Sequence, residues 1–104
     1  MPHLPFVAGD IVSVTAKDGT FQILKILAVD EGGLYTQIFS QKFTNRPRLV
    51  NIDELTPPIW GPVTLPVTHD QLALCQPEVI GYHKVLDEDL KDYRIWRSEN
   101  GRYS

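Results

Sequence analysis

The sequence predicts a mainly β fold of the α+β class: a small β-barrel or strongly bent antiparallel sheet with two short C-terminal helices. Three observations carry this. Period-two alternation recurs through the first half, Asp-Gly and Gly-Gly turn signals separate the runs, and the second half holds a capping-box pattern with apolar residues at helical spacing.

The β portion is a meander over residues 9–52. After Gly9-Asp10, the run Ile11–Ala16 sets Val12, Val14 and Ala16 against Ser13 and Thr15. Asp18-Gly19 follows, a strong hairpin signal between two strand patterns. Phe21–Val29 is apolar on both faces, Phe21, Ile23, Leu27 and Val29 on one and Leu24, Ile26 and Ala28 on the other. Such a strand is central, or sharply bent around a small core. Asp30-Glu31-Gly32-Gly33 turns the chain into a third strand, Leu34–Ser40, and Arg48–Ile52 is the expected fourth. A chain this short closes most economically as an SH3-like barrel.

Residues 56–68 hold four of the eight prolines. The stretch is too apolar for a floppy linker and too proline-rich for a central strand, so an extended crossing loop is expected. Thr68-His69-Asp70-Gln71 fits a capping box and opens a short helix over 69–76, stopped by Pro77. A strand over 78–85 comes next. Asp87 then caps a last helix over 87–98, in which Leu86, Leu90, Tyr93 and Trp96 recur at helical spacing before Asn100-Gly101 ends it.

With 104 residues, the chain fits one domain, 1–104, and leaves no room for two independent cores. An apolar fraction of 42% argues against a largely disordered chain. No apolar run approaches the roughly 18–20 residues that span a bilayer. The start, Met-Pro-His-Leu-Pro-Phe, has neither the cationic nor the apolar region of a signal peptide. A cytoplasmic protein without a membrane partner is expected. The net charge of −3 is unevenly placed: residues 1–52 carry +1 and residues 53–104 carry −4. The excess concentrates in Asp87, Glu88, Asp89 and Asp92. Carboxylates there suit a solvated helix start, or a surface that meets a basic partner. Nucleic acid calls instead for a basic stripe.

Chemistry-bearing constellations are scarce. His3, His69 and His83 show no i, i+4 pair and no His-Glu-x-x-His motif, so no metal or other cofactor is expected. Cys75, the single cysteine, rules out an internal disulfide. With His69 or His83 it forms the one conceivable nucleophile pair, but His69 and Cys75 lie about 120° apart around a helix. Ala73-Leu74-Cys75 instead reads as a buried stripe. The carboxylates of 87–92 lack the apolar cleft that raises a catalytic pKa. No catalytic residue is assigned, and an enzyme is not expected.

The aromatic residues are more suggestive. Trp60 sits in a Pro-Pro-Ile-Trp-Gly-Pro stretch, Tyr35, Phe39 and Phe43 punctuate the third strand, and Tyr82, Tyr93, Trp96 and Tyr103 gather near the end. Packing accounts for most such residues in small domains, and a shallow aromatic groove for a partner is the alternative. Arg46, Arg48, Arg94 and Arg97 lie among them, which would suit RNA, yet Asp53, Glu54, Asp92 and Glu99 oppose it.

Six motifs stand in order along the chain: Gly9-Asp10-Ile11-Val12, Asp18-Gly19-Thr20-Phe21, Lys25-Ile26-Leu27, Thr64-Leu65-Pro66-Val67, Asp87-Glu88-Asp89-Leu90 and Tyr93-Arg94-Ile95-Trp96. In this order the chain resembles small bacterial SH3-like proteins, and its opening is similar to immunity proteins of polymorphic toxin systems. The resemblance implies an intracellular, non-enzymatic protein that neutralises a toxin by occluding it. Partner-binding residues expected on that reading are Asp87, Glu88, Asp89 and Asp92, with Trp60 as an anchor, and the expected partner is a protein, a basic toxin on the toxin reading. Two other readings stay open: a small-ligand-binding or enzymatic barrel with a pocket near Cys75, Tyr82 and His83, and an SH3-like nucleic-acid adaptor.

Overall fold

The computed structural model describes residues 6–48, 50 and 63–103. Five strands, β1 (Asp10–Thr15), β2 (Phe21–Val29), β3 (Leu34–Phe43), β4 (Val63–Val67) and β5 (Glu78–Tyr82), form one antiparallel sheet in the order β4-β3-β2-β1-β5. A short helix α1 (His69–Leu74) precedes β5. A 3-10 turn (Asp87–Leu90) runs directly into α2 (Lys91–Ser98). Among the described residues the sheet is open: β4 and β5 are its two edges and do not pair.

The two-sided apolar pattern of β2 has the expected outcome, a central strand. Because side chains alternate across a strand, β2 feeds two cores. Leu24 and Ile26 join Val12, Val14, Leu34, Phe6 and Leu72 on one face. Ile23 joins Ile11, Phe39 and Ile80 on the other, with Phe43 and Val50 against them. Register shifts between Ile11 and Val12, and at two points where β2 meets β3, mark bulges that bend and twist the strands.

The β1–β2 hairpin turns over Ala16–Thr20, with Gly19 at φ +84°, as Asp18-Gly19 predicts. Asp18 accepts from Lys42 Nζ at 2.8 Å and from the Thr20 backbone at 3.0 Å. The lysine, then the threonine, hold its carboxyl far below the ordinary carboxylate range.

Several expectations change. The strand beside β3 is Val63–Val67, inside the proline-rich stretch; of Arg48–Ile52, the described residues Arg48 and Val50 are not in a strand and the rest lies outside the described residues. An edge position explains how Pro66, opposite Tyr35, is accommodated: a missing backbone N–H does little harm there. The strand expected over 78–85 stops at Tyr82, because β1 begins at Asp10 and offers no partner beyond; the next bond, His83 N–H to Gly9 carbonyl, closes the pair. The single helix over 87–98 is a 3-10 turn followed by an α-helix. Asp87 does not cap it. Asp89 reaches back instead and accepts from the Leu86 N–H at 2.8 Å.

Helix α1 begins as read from the sequence. Thr68 Oγ1 accepts from the Gln71 N–H at 3.0 Å while Gln71 Oε1 accepts from the Thr68 N–H at 2.9 Å. It ends earlier than 76, with Gln76 at φ +51° before Pro77. Six residues cannot hold a helix alone. Leu72, buried against the first core, contributes about 1.5–3 kcal/mol, and the Thr15 N–H and hydroxyl both donate to the Cys75 carbonyl. Leu74, expected in the buried stripe, is 84% exposed.

Candidate functional site

The acidic turn is built on the sheet face opposite α1. Lys25 lies between Leu24 and Ile26, so its side chain leaves β2 on the face of Ile23 and Leu27. Only 3% of this residue is exposed. Its ammonium meets three partners carried by the segment after β5: the Lys84 carbonyl at 3.0 Å, His83 Nδ1 at 3.1 Å and Asp89 Oδ2 at 3.5 Å. His83 Nδ1 also stands 3.1 Å from the Lys84 carbonyl, so ammonium, imidazole and carbonyl form one small polar cluster. Asp89 thus holds Lys25 and the Leu86 N–H with one carboxylate oxygen. A buried amine clamps the turn to the sheet.

This divides the four predicted carboxylates. Asp89 faces inward and is a positioning residue. Asp87, Glu88 and Asp92 are exposed, and the Asp87 side chain, 95% exposed, takes Arg94 at 3.3 Å. Arg94 thus offsets part of this charge, so the patch is less acidic than the run of letters implies. Leu86 and Ile95, 45% and 47% exposed, lie beside these carboxylates in the chain, whereas Leu90, Tyr93 and Trp96, at helical spacing with Leu86, are half-buried. Trp60 and His3 lie outside the described residues.

A second constellation fastens α2. Tyr93 Oη donates to the Asp30 carboxylate at 2.9 Å and Tyr103 Oη at 2.8 Å, both reaching the β2–β3 turn. His69 Nε2 stands 3.2 Å from the Asp30 carbonyl. Around these bonds Tyr35, Tyr93, Trp96 and Tyr103 pack ring to ring, with centroids 5.2 Å apart for Tyr35–Tyr93 and 4.9 Å for Trp96–Tyr103. Gly33 makes room for this, since a Cβ there would meet both the Tyr103 ring and the Val67 carbonyl. The helix ends in a Schellman pattern, with Asn100 at φ +63°, its N–H on the Arg97 carbonyl, and the Gly101 N–H on the Trp96 carbonyl. Three of the aromatic residues near the C-terminus serve packing; Tyr82 stands apart, 64% exposed at the end of β5.

Burial, then the bond to Asp30, raises both phenols above their ordinary pKa. The unfolded chain releases these protons first, near pH 10. Their contribution to stability is therefore complete below about pH 10 and is lost as pH rises further. In a spectrophotometric titration at alkaline pH, Tyr93 and Tyr103 of the native chain are expected to ionise later than free tyrosine, and Tyr103→Phe to remove one late step. Simultaneous titration of all tyrosines at the ordinary value would contradict the arrangement.

The pocket combining Cys75, Tyr82 and His83 does not form. Cys75 packs against the Val12–Leu24–Ile26 core, whereas His83 bonds to Lys25 on the opposite face. Nor do Cys75 and His69 meet: the thiol points to the Gln71 carbonyl and His69 to Asp30. Arg46 is drawn inward, donating to Ser13 Oγ at 2.9 Å and the Gln76 carbonyl at 2.9 Å, with its guanidinium 4.9 Å above the Phe21 ring. Arg97 lies over Trp96. Among the described residues no cluster of three His, Cys, Asp or Glu side chains is placed to hold a metal, and no helix is long and apolar enough to cross a membrane. Comparison with protein-family models, with curated proteins and with solved structures gives no significant match.

Proposed function

We propose that this chain is a non-enzymatic protein-binding domain of the immunity type, which neutralises a toxin by seating a rigid surface over it. The observation that carries the reading is the Lys25–Asp89 clamp. It fixes the acidic turn before any partner arrives, so the entropy of ordering that segment is not lost on binding. Glu88, Asp92 and Asp87 supply the charge that steers a basic partner, and Leu86 and Ile95 the apolar contact. In this reading the open sheet is SH3-like in outline: β1 to β4 meander in order and β5 returns beside β1, the strand order a small barrel needs if its two edges meet. The site lies inside a bacterial cytoplasm, where the resemblance puts such proteins.

The test is kinetic. Pull-down with the full chain is expected to recover one specific basic protein. Reversing Glu88 and Asp92 to lysine then lowers its association rate about tenfold or more at low salt, with a smaller effect at high salt. Asp89 is left alone in this experiment, because its loss disturbs the fold. A complex whose on-rate and affinity ignore both reversals sinks the acidic-surface reading.

A further inference from the structure

On the face of the sheet away from the acidic turn, a groove of about 680 Å³ runs between α1 and strands β2 to β4. That volume falls within the roughly 300–1,000 Å³ of small-molecule sites. Leu24, Ile38, Leu65, Leu72 and Cys75 line it, while Gln22 and Gln71 bring amides. Lys17 is the one charged residue of its described lining. This lysine is exposed and enters none of the ion pairs among the described residues. Its neighbour Asp18 is already engaged by Lys42 and Thr20.

An apolar trough with one uncommitted cation is complementary to an amphiphile of the opposite charge. Lining from β1 (Val14) across to β4 (Leu65, Val67) spans four strands, roughly 14 Å at about 4.8 Å per spacing, which suits a chain-like body rather than a compact one. We propose that the groove binds a free fatty carboxylate, its acyl chain on Leu24, Ile38 and Leu65 and its head group against the Lys17 ammonium. Gln22 and Gln71 carry amide groups able to donate to the remaining carboxylate lone pairs. The site is separate from the acidic turn, so it stands or falls independently of the protein-binding reading.

Dodecanoate is the probe, titrated into the isotope-labelled full chain. Amide shifts are expected to move at Leu24, Ile38, Leu65 and Cys75, and N-ethylmaleimide to alkylate Cys75 about tenfold more slowly with the carboxylate bound. Lys17→Glu weakens dodecanoate tenfold or more and leaves dodecanol unchanged. Leu65→Glu, at a position 44% exposed and hence tolerant of the change, abolishes both. Shift changes confined to other residues, no binding of dodecanoate, or binding equal to that of dodecanol and indifferent to Lys17→Glu would each overturn the proposal. Binding only to anionic vesicles, with none to free dodecanoate, overturns it as well.

Discussion

Asp89→Ala is expected to destabilise the fold by about 2–4 kcal/mol, far more than removal of the lysine it faces. Breaking a buried ion pair from one side typically costs about 3–5 kcal/mol, because the other charge stays behind uncompensated. Here the Lys25 side chain is 4% exposed and the Asp89 side chain 23%, so water reaches one end of the pair and the lower part of that range applies. The Leu86 N–H also loses its acceptor. Lys25→Met behaves differently. It removes the buried charge, fills the face of Ile23 and Leu27 and leaves the partly exposed Asp89 free to cap Leu86, while the Lys84 carbonyl loses its donor; a loss of about 1 kcal/mol is expected. Asp89→Ala combined with Lys25→Met should recover most of the loss, since the two residues act as one unit. Urea denaturation of the three variants tests the order. An Asp89→Ala cost no larger than that of Lys25→Met would show that the clamp does not hold the turn.

The same pair shows what could be read along the chain and what could not. The capping box of Thr68 and Gln71, the Asp18-Gly19 hairpin and the central role of β2 are local: each needs only residues a few positions apart, and each stands in the structure. The choice between a closed barrel and a bent sheet depended on whether the edges meet, which periodicity does not encode. Lys25 was visible only as part of a run, although a signal was present. A lysine alternating with Leu24 and Ile26 must share the face of Ile23 and Leu27, and if that face is covered the amine needs an acid. Which acid was out of reach, because Asp89 is 64 residues away. The four carboxylates divide for the same reason: the run is continuous in sequence, but the fold turns Asp89 toward Lys25. Cys75 and His83 likewise come from neighbouring segments, yet α1 and the segment after β5 lie on opposite faces of the sheet.

Asp30→Ala is the second large effect, with an expected loss of about 2–4 kcal/mol. Asp30 occupies what the sequence presents as an ordinary turn, but two phenols from residues 63 and 73 positions away converge on its carboxylate. Hydrogen bonds to a charged group are worth about 1.5–3 kcal/mol each, and less than their sum when two share one acceptor. Part of the loss is regained as Tyr103, half-buried, turns its hydroxyl toward water. Asp30→Asn keeps an acceptor oxygen and should cost about 1 kcal/mol. The distinctive consequence is where the loss falls. Tyr93 belongs to α2 and Tyr103 to the segment after it, so amide exchange should accelerate in Lys91–Ser98 before it does in β1 or β2. The ring packing of Tyr35 on Tyr93 and Trp96 loosens with it, and the native phenols ionise closer to the ordinary tyrosine range. In the protein-binding reading, Asp92 rides on the helix thus freed, so Asp30→Ala weakens partner association without touching the surface itself. Uniform acceleration across sheet and helix, with unchanged phenol titration, would mean that Asp30 supports the turn alone and that α2 is held by its aromatic contacts.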